Sequence, residues 1–301
     1  AQIFDNSQPH FKVKWNQINT KYFRLIFPQE FNNSAVNLAN QIKTHLHYST
    51  VSLGEKPRKI DIIVQQNHLT QDGFVQLAPR KSELFSTPDG TADNQEWLPN
   101  LALHEMQHVV QFDKLTGNIK RPFGEILALA FFGINLPSWY YEGDAVLHET
   151  LFTRGGRGRL SAWNMPLRAN ILSGKSYSFN KYIHGSFKDV VPNYYTIGYF
   201  MNSEMYEKDP AISAKILEEM NGKLLRPFNF QRALKSNYGM HSSKLFDKTV
   251  ENLKEKWTPE DAQNSSSNTV YADKYPTDYL LPQTYNDELF ALQINKQRTP
   301  R

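Results

Sequence analysis

The chain has 301 residues, of which 40% are hydrophobic, 13% aromatic and 21% charged. That is enough to bury a sizeable core, as one large or two small domains, and it excludes a disordered, collagen-like or coiled-coil chain. A net charge of +4, evenly spread, gives no nucleic-acid signature, and the absence of cysteine excludes disulfide scaffolds, thiolate metal sites, iron–sulfur clusters and cysteine nucleophiles.

Residues 22–27, Tyr-Phe-Arg-Leu-Ile-Phe, are a predicted strand closed by Pro28. Ala35, Leu38, Ile42 and Leu46 recur at helical spacing and predict a helix over 34–47. Residues 59–64 and 73–77 are predicted strands, with Asp72-Gly73 as the turn between them. Pro79 places the second of these at a sheet edge. From Pro99 onward the pattern is mostly helical. Pro99 suits a first helical turn and Gly117 a helix end. Further helices are predicted near 122–134, 138–152, 190–207, 210–220 and 242–256.

The longest apolar run, 126–134, has nine residues and is too short to span a membrane. The wider stretch 123–136 is broken only by Glu125 and Asn135. It reads as a buried helix, with a cleft lining or contact with a membrane surface as alternatives. The basic cluster Arg154-Gly-Gly-Arg157-Gly-Arg159 reads as a flexible exposed loop, with phosphate contact as the alternative. Residues 259–273, which include Asn264-Ser-Ser-Ser-Asn268, read as a linker. Two short strands around Asn286-Asp287 follow, too few to stand as a domain. The expected division is a domain over 1–258, with subdomains of about 1–117 and 118–258, the linker, and a tail over 274–301.

Chemistry concentrates in His104-Glu105-Met106-Gln107-His108. On a helix, residues four apart share a face, so both imidazoles can meet one ion. Glu105 sits between them, placed to take a proton from a metal-bound water. Leu101, Met106, Val109, Val110 and Phe112 predict a buried helix, whose histidines need partners. Two hydrogen-bonded structural histidines are the competing reading. A third histidine six positions after the second is excluded, because Lys114 stands there and Gln111 stands where the companion glycine belongs. A glutamate from a second helix is the other solution. Pro137-Ser-Trp-Tyr-Tyr-Glu142-Gly-Asp-Ala145 supplies one, with Ser138 as the expected N-cap. A glutamate favoured by the helix dipole is the plain alternative for Glu142. His148 and Glu149 are the fallback donors. Two histidines and one glutamate favour a zinc ion.

These motifs resemble the gluzincin metallopeptidases, the class of thermolysin and the leukotriene-hydrolase-like aminopeptidases. The resemblance implies a two-part α+β zincin-like fold, with a mixed sheet and the active-site helix first and a mainly helical part after it. It implies Glu142 as the third zinc ligand. In the aminopeptidases a later helix carries a Tyr-x-x-Gly segment whose hydroxyl stabilises the oxyanion; Tyr195-Thr-Ile-Gly198 matches it and implies that role for Tyr195. Tyr194, Tyr195 and Tyr199 can equally be core aromatics. An edge strand in this class pairs with extended substrate, and 73–77 is the candidate, with a purely structural strand as the alternative. The Gly-x-Met-Glu-Asn segment that grips a free amino terminus is absent, which weakens an exopeptidase reading and leaves an endopeptidase or a specialised peptide hydrolase.

A closer resemblance runs through Asp72 to Phe85, the zinc motif and Leu136 to Asp144. It is similar to exported gluzincin-like domains of Bacteroidetes-type bacteria, in which a Tol-type β-propeller often follows. This implies export, a bacterial source and a tail that opens a propeller absent from this chain. No signal peptide is visible, but the chain starts at Ala1 rather than Met and reads as processed or trimmed. The expected function is zinc-dependent hydrolysis of a peptide or protein substrate. The alternatives are a binding or assembly module with a silent zinc site, and a zinc hydrolase for another carbonyl substrate.

Overall fold

The computed structural model describes residues 12–77, 79–88, 96–117, 135–175, 177–223, 225–262 and 277–295. Five strands form one mixed sheet: β1 (Trp15–Asn19), β2 (Phe23–Pro28), β3 (Ile60–Gln65), β4 (Gly73–Leu77) and β5 (Arg80–Phe85). Their order is β1-β2-β3-β5-β4, so β4 lies at an edge as expected, while Pro79 itself stands in the turn between β4 and β5. β2, β3 and β5 run parallel, and the outer strands pair antiparallel.

Alternation along β2 and β3 turns Phe23, Leu25 and Phe27, then Ile60, Ile62 and Val64, to one buried face. The opposite face carries the half-exposed pair Arg24–Asp61. Helix α1 (Asn32–Leu53) covers the buried face with Ala35, Leu38, Ile42 and Leu46. It is longer than the predicted 34–47 and ends at Gly54, whose φ of +64 closes it. Strands β1 and β5 carry no alternating apolar signal. β5 nonetheless runs through the sheet interior, with Ser82 and Glu83 buried.

Helix α2 (Trp97–Thr116) contains Pro99 in its first turn and stops at Gly117. It is buried from Ala102 to Thr116 because it lies between the sheet and the helical half. Arg58 and Arg80 both grip Asp113 near its C-terminus, at 2.7 Å each, and fix it to the sheet.

The second half is helical: α3 (Ser138–Phe152), α4 (Ser161–Leu172), α5 (Phe179–His184), α6 (Tyr194–Lys208), α7 (Ile212–Met220), α8 (Asn229–Tyr238) and α9 (Ser242–Ala262). The expected two-part α+β architecture is therefore present. Pro137, not Ser138, occupies the N-cap of α3, without a side-chain cap bond. Its fixed φ already suits that position, and Ser138 becomes the first helical residue. Helix α6 starts at Tyr194, four residues after the predicted start. The predicted elements do not include helices α4, α5 and α8, although Phe230, Ala233, Leu234 and Tyr238 of α8 recur at helical spacing. Helix α9 continues through Pro259 to Ala262, where the sequence reads as linker. The rest of that segment, and the helix predicted over 122–134, lie outside the described residues.

Strands β6 (Thr277–Tyr285) and β7 (Glu288–Asn295) form a hairpin around Asn286-Asp287, both with positive φ as a tight primed turn requires. Among the described residues, no helix is long and apolar enough to cross a membrane.

Candidate metal centre

Helix α2 delivers the first two donors. The rings of His104 and His108 meet edge to face, 4.8 Å between centroids. Their Nε2 atoms are 3.2 Å apart, and each lies 3.2 Å from Glu142 Oε2 on α3. Three donor atoms thus form a nearly equilateral triangle, from residues that are each 4–6% exposed. A tetrahedral ion with bonds of about 2.0–2.1 Å sets its ligand atoms about 3.3 Å apart. The donor set, two imidazoles and a carboxylate, also has the chemistry of a zinc site with one position left open. The residues fit the ion that the sequence implies.

The histidines are held from behind by separate partners. His108 Nδ1 meets Gln111 Oε1 at 2.8 Å. Gln111 in turn donates to Asp144 at 2.6 Å and to the Tyr141 carbonyl at 3.2 Å. Gln107 and Ser213 donate to the same buried Asp144, at 2.7 and 2.6 Å. His104 Nδ1 faces Glu149 at 3.3 Å and Arg157 Nη2 at 2.8 Å. Second partners of this kind fix the ring orientation of a metal ligand. Glu142 and Glu149 are seven positions apart, about two turns, so one face of α3 serves both purposes. His148 lies on another face and bonds to Ser49 of α1 at 3.2 Å, so it does not join the donors.

The charges are strongly coupled. Burial and Arg157 oppose charging His104, but Glu142 and Glu149 outweigh them and push it up to about 9. Burial raises the Glu142 carboxyl, yet the two histidines hold it well below its usual range. Burial likewise opposes Glu149, and Arg157 with His104 brings it down to about 2. Glu105 is different. It is 4% exposed and makes no hydrogen bond or ion pair among the described residues. Burial pushes its carboxyl up, the histidines pull it back, and Glu142 and Asp72 add to the rise.

Tyr195, in the first turn of α6, stacks over His104 with centroids 6.4 Å apart and on Tyr194 at 4.9 Å. Burial and the facing Glu142 carboxylate keep its hydroxyl protonated well beyond the ordinary range. Its hydroxyl thus keeps its proton beside Glu142. Strand β4 begins against α2: a Cβ on Gly73 would sit 2.9 Å from Leu101 Cδ1.

The basic loop departs from its sequence reading. Arg154 and Arg159 are exposed, but Arg157 turns inward as part of a short 3-10 turn. The reason is Glu149, which needs a cation and lies eight residues earlier. Gln111, read in the sequence only as the lack of a glycine, is the partner of His108. Its position three residues along the same helix face was the available signal.

No family model matches the sequence, and neither does any curated protein. Among solved structures, the chain is similar to an aminopeptidase N family protein from Idiomarina loihiensis, at 10% identity and a TM-score of 0.51. The match covers 95% of this chain and 57% of that one, so the chain spans little more than half of that protein's length. At this identity the likeness is one of fold.

Proposed function

We propose that this chain is a zinc-dependent peptide-bond hydrolase of the gluzincin type, acting within peptide chains. The observation that carries the reading is the buried triangle of His104, His108 and Glu142, with Glu105 on the same helix making no hydrogen bond or ion pair among the described residues. His104 Nε2, His108 Nε2 and a Glu142 oxygen would hold the ion. A zinc ion there would acidify a water and polarise a substrate carbonyl.

The chain's own groups supply the rest. The Glu105 carboxylate accepts a proton from the attacking water and delivers it to the leaving nitrogen. The Tyr195 hydroxyl donates to the oxygen on which negative charge develops. The outer side of β4, the last strand of the sheet order, is the proposed place for an extended substrate. Fold similarity to an aminopeptidase N family protein supports a peptidase-like reading. Export, and a β-propeller following the tail, belong to the same proposal through the sequence resemblance.

The test is zinc stoichiometry by elemental analysis after mild chelation, for the unaltered chain and Glu142→Ala, followed by cleavage of an unfolded protein with and without chelator. One zinc per chain, lost in the variant, with chelator-sensitive cleavage, is the expected result. Zinc without cleavage would reduce the centre to a structural site in a binding or assembly module. No zinc in the unaltered chain, even after it is added back, would remove the reading.

A further inference from the structure

We propose that Arg157 is a positioning residue of this centre: its guanidinium fixes the Glu149 carboxylate as the acceptor for His104 and steadies the Tyr195 ring at the cleft. The proposal rests on the metal-site part of the reading above, not on the identity of the substrate.

The glycine-rich segment 154–159 has no part in the chemistry described so far. Its geometry is that of a mould for one side chain. Gly156 has a φ of +86, and a Cβ there would lie 2.7 Å from Thr150 Cα. A Cβ on Gly158 would lie 2.3 Å from Tyr199 Cζ, and the Gly158 N–H donates to Thr150 Oγ1 at 3.2 Å. The loop is pressed on the end of α3 from one side and on α6 from the other. Side chains at those two positions would push it away.

Pressed in this way, Arg157 closes on Glu149 with three donors. Its backbone N–H reaches Oε1 at 3.0 Å, its Nε reaches Oε1 at 2.8 Å, and its Nη2 reaches Oε2 at 3.2 Å. The same Nη2 lies 2.8 Å from His104 Nδ1, and the guanidinium sits 5.3 Å from the centre of the Tyr195 ring. A fork of this kind sets direction as well as charge.

A histidine that gives Nε2 to a metal carries its proton on Nδ1, and that proton needs an acceptor. Glu149, 1% exposed, is within reach at 3.3 Å. Without Arg157 that buried charge would lose its bidentate partner and be left with His104 alone, and its carboxylate plane would be free to turn. In the state with Nδ1 protonated, the Nη2 contact to that nitrogen gives way, while the fork stays on Glu149. One arginine therefore sets the orientation of a ligand on one side and of a hydroxyl donor on the other.

The experiment measures zinc affinity by competition with a chromophoric chelator and the visible spectrum of the cobalt-substituted protein. It compares the unaltered chain with Arg157→Ala, Arg157→Lys and the exposed neighbour Arg159→Ala, each checked for folding by circular dichroism. The expected result is zinc binding about 10- to 100-fold weaker in Arg157→Ala, with a shifted cobalt spectrum. Arg157→Lys should recover part of the affinity, since it keeps the charge and loses the fork. Arg159→Ala should match the unaltered chain. A folded Arg157→Ala with unaltered affinity and spectrum overturns this proposal and leaves the metal site standing. If Arg157→Ala does not fold, unaltered affinity and spectrum in Arg157→Lys overturn it instead. Absence of zinc binding in the unaltered chain overturns the metal site and this proposal together. None of these readouts needs a substrate, so loss of the hydrolase reading alone does not change them.

Discussion

Gly143 of α3 lies against the backbone of Gly198 of α6: a Cβ on Gly143 would sit 2.2 Å from the Gly198 carbonyl carbon, and a Cβ on Gly198 would sit 2.0 Å from the Trp139 carbonyl oxygen. Each glycine belongs to one of the two short motifs, Glu142-Gly143 and Tyr195-Thr-Ile-Gly198. The two helices touch backbone to backbone at this point. Asn202 closes the contact by donating to the Tyr140 and Gly198 carbonyls at 3.1 and 2.8 Å. This crossing brings the Tyr195 ring over His104.

Gly198→Ala should therefore cost more than a helix glycine usually does. Alanine favours a helix by up to about 1 kcal/mol. Here the added methyl must force backbone apart, at about 1–3 kcal/mol or more. The denaturation midpoint is expected to fall. An unchanged or raised midpoint would show that the crossing has slack.

Glu105→Gln should retain zinc, because residue 105 donates nothing to the triangle of ligand atoms. Turnover should fall by at least about two to four orders of magnitude with the loss of the general base. Full turnover in this variant would remove the proposed chemistry, whatever the metal content.

Tyr195→Phe keeps the ring that stacks on Tyr194 and removes only the hydroxyl. We expect turnover to drop about 10²- to 10³-fold, the scale of a lost oxyanion donor, with KM little changed. A steady-state comparison decides it. An unaltered rate would transfer the role to another donor.

Acid should destabilise the fold through His148. Burial first, and then His45, push its pKa down to about 3, against the opposing pull of Glu149; His104 adds to the fall. Burial also lowers His45 to about 4. Both stay neutral in the folded chain, whereas an unfolded histidine protonates near 6.5. The folded-state pKa is depressed, so this stability is complete above about 6.5 and is lost as the pH falls toward the folded values. By pH 5 the loss is about 2 kcal/mol for His148. Denaturant melts at pH 7.5 and 5 measure it. Because ligand protonation also occurs in acid, the informative quantity is the difference from His148→Gln, whose loss should be smaller.

Much of the centre was legible because it is local. His104 and His108 are four residues apart on an apolar helix, and helical geometry alone aligns them. Glu142 stood out through the glycine and tryptophan around it. The parts that escaped depend on partners distant in sequence or hidden by polarity. Nothing in the series Arg80-Lys-Ser-Glu-Leu-Phe85 alternates, so the strand between β3 and β4 left no pattern. Arg157 resembles any surface arginine in the sequence, because the carboxylate toward which it turns is fixed only by the fold.

The amino-acid sequence by itself determined the helix of α2, the two imidazoles on its face and the glutamate between them. Each follows from the helical period. Only the tertiary structure decided the rest. It set Glu142 3.2 Å from both histidines, placed Gln111 on Asp144, turned His148 away and drew Arg157 inward. Those outcomes come from helices packed at glycine contacts and from buried charges that must find partners, and neither is a property of any segment alone.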